Sequence, residues 1–215
     1  GRKSPTKTDE IMQLHVTLTS PYARMARIMV LEKGLEDRVE IVEAQTRRPD
    51  SPYYEINPSG RVPCLVRDDG IGMEESAAIC AYLDYLDGAP TFDPPPDEAG
   101  WEIRRLEAAA RSMLDGVALW GREYLYRSEN ERSPTIIAHE TERAKRMFDF
   151  FEAEIDSPAL RGDFNMAQMT LACTVLLDYS RRGFEWRRDC PKLAAWADEM
   201  AERPSIEATT PPTAA

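Results

Sequence analysis

The stretch Gln13–Gly34, QLHVTLTSPYARMARIMVLEKG, holds the decisive pattern. From Gln13 to Thr19 apolar and polar residues alternate, with Leu14, Val16 and Leu18 on one side, which is the period of a β-strand. Ser20-Pro21 breaks that period. Ala23, Ala26, Arg27, Val30 and Leu31 then recur at helical spacing until Gly34. Ser before Pro starts a helix and Gly stops it. A strand running straight into a capped helix is the opening of an α/β unit.

Outward from there, Val39 to Val42 reads as a second strand. Gln45 to Gly60, rich in Pro, Arg, Asp and Asn, reads as a long loop with room for one short helix. Val62 to Val66 is a third strand carrying Pro63, and Asp69-Gly70 is a hairpin signal that turns Ile71 to Met73 back as a fourth. Glu75 to Leu86 is helical, with Ala78, Ile79, Tyr82, Leu83 and Leu86 on one face. The order β-α-β, β-β-α predicts a mixed four-stranded sheet over residues 12–87.

Residues 88–97 contain four prolines and no hydrophobic period, and read as a linker. Residues 98–203 show only helical spacing: Ile103, Leu106, Ala110, Met113, Leu114 and Val117, then Ile137, Ala144, Met147, Phe148, Phe151 and Ile155. Met166 to Tyr179 is apolar on nearly every side, the signature of a buried central helix. Pro191 to Arg203 is a last helix, and 204–215 reads as a polar tail. Residues 1–11 are polar and read as a disordered leader or a cloning remnant before Met12.

The 27 basic and 38 acidic residues give a net charge of −11, which argues against a nucleic-acid partner. No apolar run reaches the ~20 residues of a membrane span. Cys64, Cys80, Cys173 and Cys190 form no Cys-x-x-Cys pair, and His15 and His139 are the only histidines, so neither a metal site nor a redox dithiol is expected. Isolated cysteines fit a reducing, cytoplasmic setting.

Three positions carry chemistry. Ser20 is first of all a helix N-cap. The same geometry offers a partial positive charge and a hydroxyl, which together lower the pKa of a thiol held there. Pro63 fits an edge strand; with a cis Val62–Pro63 bond, the Val62 backbone would face outward to pair with an extended peptide, and Arg61 at the rim would suit a carboxylate. Glu75 and Ser76 begin a helix. Beyond capping, they suit the amino and carboxylate groups of an amino-acid head.

Together, Thr19-Ser20-Pro21-Tyr22-Ala23-Arg24, the run Asn57 to Leu65 and Glu75-Ser76-Ala77-Ala78-Ile79 resemble the glutathione-site motifs of the glutathione S-transferase superfamily, most closely its small bacterial members with a Ser-Pro-Tyr/Phe motif. The resemblance implies a thioredoxin-like N-terminal domain and an all-α bundle. It implies Ser20, with Thr19 as the alternative, beside the glutathione thiol. It places Arg61, Val62 and cis Pro63 along the peptide, and Glu75 and Ser76 at the γ-glutamyl head. Asn165 and Gln168 stand where the family's Ser/Thr and Asp cap the buried helix, with Gln168 able to close a capping box.

By the same resemblance, Tyr22, Met113, Val117 and Trp120 line the pocket for a hydrophobic electrophile, although Met113 and Trp120 are equally well explained as core. A homodimer with Tyr82, Tyr85 and Trp101 near its interface is implied, as are conjugation, dehalogenation or peroxide reduction without metal. A non-catalytic binding module or ligand carrier on the same fold is the alternative.

Overall fold

The computed structural model describes residues 11–213, so the leader expected over 1–11 lies outside them except for Ile11. The described residues form two compact units. One runs to Thr91 and takes in the segment from Pro204 onward; the other is Phe92–Arg203.

The first unit is built on four strands: β1 (Met12–Val16), β2 (Val39–Glu43), β3 (Cys64–Val66) and β4 (Gly72–Glu74). Helix α1 (Pro21–Glu32) follows β1, and α2 (Ser76–Tyr85) follows β4. The sheet order is β2-β1-β3-β4. β1 pairs parallel with β2, Leu14 opposite Ile41, and antiparallel with β3, Leu14 opposite Leu65. β3 pairs antiparallel with β4, Leu65 opposite Met73. The long loop holds a single 3-10 turn, Pro52–Glu55.

Leu14, Val16, Ile28, Met29, Leu65, Ile79 and Leu83 are buried where the sheet meets α1 and α2. Each contributes about 1.5–3 kcal/mol of apolar burial. Lys33, just past α1, forms ion pairs with Asp84 (3.1 Å) and Asp87 (3.0 Å) and so ties the C-terminal ends of α1 and α2 together.

Seven of the twelve residues of α1 are buried, and the segment expected to be a polar tail contributes to covering them. Pro204–Glu207 forms a helical turn, α9, that returns to the first unit and packs on α1. Arg24, 3% exposed, donates from Nε to Thr209 Oγ1 (3.1 Å) and from Nη2 to the Ile206 carbonyl (2.7 Å). Ser205 donates to Glu32 Oε1 (2.5 Å). The segment is polar in composition because its polar atoms serve as anchors.

The second unit is all helical: α3 (Glu98–Leu125), α4 (Pro134–Glu154), α5 (Pro158–Arg161), α6 (Met166–Val175), α7 (Trp186–Asp189) and α8 (Pro191–Ala201). All ten residues of α6 are buried, and α3, α5 and α8 pack on it. Asn165 caps α6 by accepting from the Gln168 N–H (3.1 Å). Gln168 closes no capping box; its Nε2 donates to the carbonyls of Ala159, Gly162 and Asp163.

The expected linker is divided between the units. Phe92 is buried edge-on against Phe164, and Arg104 donates to the carbonyls of Pro94 and Pro95. Gly100 is required in this arrangement, since a Cβ there would lie 1.6 Å from the Pro95 oxygen.

Candidate functional site

The topology gathers the predicted residues at one end of the sheet. β1 and β4 both run antiparallel to β3, so their C-terminal ends, Val16 and Glu74, lie beside the N-terminal end of β3 at Cys64. Ser20, Val62 and Glu75-Ser76 lie just beyond those three strand ends. Both helices therefore start here, and the N–H groups of a helix start lack intrahelical partners and favour negative charge.

Ser20 is the N-cap of α1, half-buried, and its Oγ accepts from the Ala23 N–H (3.1 Å). A hydroxyl that accepts still has its own hydrogen to donate. Thr19 is exposed and Tyr22 half-buried.

The Val62–Pro63 peptide bond is cis. Neither the N–H nor the carbonyl of Val62 is hydrogen-bonded among the described residues. Arg61 is exposed. Its N–H donates to Ser59 Oγ (3.1 Å), and its carbonyl accepts from the Tyr53 hydroxyl and from Asn57 Nδ2 (2.9 Å). Burial pushes the Tyr53 phenol up to about 12, against a lowering contribution from Asn57, so it stays a donor at neutral pH.

Glu75 has φ 78 and ψ 119, a conformation that side chains other than glycine rarely adopt. Its carboxylate accepts from Ser76 Oγ (3.2 Å) and, at long range, from the Ala77 N–H (3.5 Å). Ser76 is 1% exposed. Its hydroxyl is engaged by the exposed Glu75 carboxylate.

Sequence reasoning missed a set of groups that links these segments. Ser59 Oγ and Asn57 Nδ2 (3.3 Å) both donate to Glu74 Oε1, which joins the 57–61 loop to the residue preceding Glu75. Asn57 lay in a motif already singled out. Glu74 carried no signal, since an exposed glutamate at a strand end is ordinary.

Met113, Val117 and Trp120 are buried on α3. Trp120 packs edge-on against Phe184 (5.4 Å) and beneath the Arg182 guanidinium (5.0 Å), all within the helical unit. Cys64 is buried, and burial, followed by Glu74, raises its thiol pKa, as expected of a packing residue. Trp101 and Tyr85 are exposed, at 63% and 51%, whereas Tyr82 is half-buried with Arg67 over its ring. Among the described residues, no group of three or more His, Cys, Asp and Glu side chains is placed to hold a metal ion, and no helix is long and apolar enough to cross a membrane.

A thioredoxin-like sheet unit with two helix starts at one end, followed by an all-helical unit, defines the class of glutathione-transferase folds. Comparison with known proteins agrees. The sequence model of the glutathione S-transferase N-terminal domain matches residues 19–86. The chain is 29% identical to the uncharacterized GST-like protein YibF of Escherichia coli K12, over 94% of this chain and 100% of that protein. It is 26% identical to glutathione S-transferase 2 of Saccharomyces cerevisiae, over 94% of this chain and 90% of that one.

Crystal structures of a glutathione transferase family member from Pseudomonas fluorescens Pf-5 superpose with TM-scores of 0.84, with bound glutathione, and 0.81, with bound S-(propanoic acid)-glutathione. That protein is 30% identical to this one, over 94% of this chain and 100% of its own. The chain belongs to the glutathione S-transferase superfamily.

Proposed function

We propose that this protein is a glutathione transferase whose first unit binds glutathione across the end of the sheet. The observation that carries this reading is the convergence of three complementary groups there: a capping hydroxyl, an unpaired stretch of backbone, and a carboxylate at a helix start. Glu75 pairs with the ammonium of the γ-glutamyl head, and the start of α2 with Ser76 holds its carboxylate. Val62 pairs its N–H and carbonyl with the cysteinyl residue, strand to strand. Arg61 meets the glycyl carboxylate.

The thiol then lies at the start of α1, where the Ser20 hydroxyl donates to the sulfur and favours the thiolate. Thr19 is the alternative donor. The thiolate attacks an electrophilic carbon of a hydrophobic co-substrate. A carbon–sulfur bond forms, and the leaving group departs with its bonding pair. S-(propanoic acid)-glutathione, bound by the Pseudomonas relative, contains a bond of that kind. Proximity contributes beside thiolate stabilisation. Tyr22, Met113, Val117 and Trp120 are the proposed co-substrate residues. The exposed Trp101 and Tyr85 support a homodimer, and the four free, buried cysteines support a reducing cytoplasmic setting.

One observation favours the non-catalytic alternative: Ser76 is buried and engaged by Glu75, so a ligand must displace that bond. Calorimetric titration with glutathione separates the two. Under the transferase reading the wild type binds, Glu75→Ala loses affinity, and Ser20→Ala binds but ionises the bound thiol at higher pH, followed by thiolate absorbance. Absence of binding at millimolar glutathione would make the site vestigial.

A further inference from the structure

We infer that Glu74 is a positioning residue for glutathione recognition: by joining the 57–61 loop to the strand end, it holds the Val62 edge and the Glu75 turn in one fixed relation. The inference rests on the glutathione reading above and deepens it.

The residues meant to grip the ligand sit on separate segments. Val62 belongs to a loop reaching back to Asn57, whereas Glu75 is the hinge between β4 and α2. A tripeptide spanning both is bound well only if their separation is preset, because ordering either segment at the moment of binding costs affinity. The hydrogen bonds that preset it meet at one carboxylate oxygen, which accepts from Ser59 Oγ and from Asn57 Nδ2.

Ser59 in turn receives the Arg61 N–H, and Asn57, with Tyr53, holds the Arg61 carbonyl. Each backbone group of the residue before Val62 thereby meets a side chain hydrogen-bonded to Glu74, with Tyr53 as a second, independent donor to the carbonyl. On its other side Glu74 is bonded covalently to Glu75, whose φ of 78 persists only where the surroundings impose it. Glu74 is exposed and ends a short edge strand, so its bonds bear on local geometry far more than on global stability.

This assignment predicts a defined kinetic signature. Glu74→Ala raises both the glutathione Kd and its KM by roughly five- to thirtyfold. Its kcat stays within about twofold of wild type, since no group at the thiol is touched. Glu74→Gln keeps an acceptor oxygen for both donors and restores affinity to within about threefold. Ser59→Ala gives a partial loss, and the Ser59→Ala/Glu74→Ala pair loses less than the two single losses combined, because the two share the Ser59–Glu74 bond.

Unchanged affinity in Glu74→Ala overturns the inference. So does failure of Glu74→Gln to rescue, which would assign the effect to charge, and so does a loss of kcat in step with thermal stability, which would assign it to folding. Wild-type protein that binds no glutathione overturns the glutathione reading and this inference together; wild-type binding with an indifferent Glu74 overturns this inference alone.

Discussion

Helices α1 and α2 begin at the same end of the sheet in opposite ways. Ser20 enters α1 from an ordinary extended conformation, φ −73 and ψ 123, and its side chain makes the bond any good N-cap makes. Glu75 enters α2 at φ 78 and ψ 119, and its capping bond is a poor one at 3.5 Å. Local propensity explains the first start and opposes the second. A residue kept where glycine would be easier, with little capping in return, is the one whose side chain has other work. The ordinary start leaves its purpose open; the strained start argues for one.

The largest expected effect breaks the strained start. Glu75→Ala lowers glutathione affinity by roughly ten- to a hundredfold, the scale of a lost charge-assisted pair, as read by calorimetry. Glu75→Gly loses affinity equally, yet it is more stable than Glu75→Ala by about 1 kcal/mol because glycine tolerates the positive φ. Equal melting temperatures for the two variants would remove strain from the comparison.

Next comes the ordinary start. Ser20→Ala costs about 1 kcal/mol of stability through the lost cap. If the hydroxyl also serves the thiol, the absorbance of the bound thiolate rises at higher pH in this variant, whereas Thr19→Ala leaves that titration in place. The reverse result would transfer the role to Thr19.

The smallest effect sharpens the comparison through Tyr53, which braces the loop before Val62. Its phenol is raised to about 12, first by burial. A raised phenol stabilises the fold fully below the ordinary tyrosine range near 10, and that contribution fades as pH climbs from about 10 through about 12. An ultraviolet titration should therefore show two tyrosines ionising late, Tyr53 and the fully buried Tyr179, whose phenol is also raised by burial. Tyr53→Phe should remove one of the two and flatten the alkaline loss of stability. Ionisation of all tyrosines near 10 would contradict the brace.

Much of this was readable from the residues, and the boundary is physical. β1 and α1 declared themselves because alternation, Ser-Pro and Gly34 are local signals. α6 was legible because an apolar run without a polar face has nowhere to sit but inside. The three site segments were legible as motifs, but the bond network between them was not. Glu74, Asn57 and Ser59 meet only once the strand pairing of β3 and β4 is set, and nothing local marks an exposed glutamate as a meeting point. The strap from Pro204 was misread for the same reason: Ser205 and Thr209 are polar in any local window, and their role depends on Glu32 and Arg24 far upstream.

That strap also imposes an order of events during synthesis. Arg24 and its acceptor Thr209 are 185 residues apart. At ribosomal speeds of ~5–20 residues per second, α1 waits roughly ten to forty seconds for the segment that closes over it. The first unit to be translated is therefore the last to be finished. A nascent chain stalled within the helical unit carries an α1 whose Arg24 still lacks two of its acceptors.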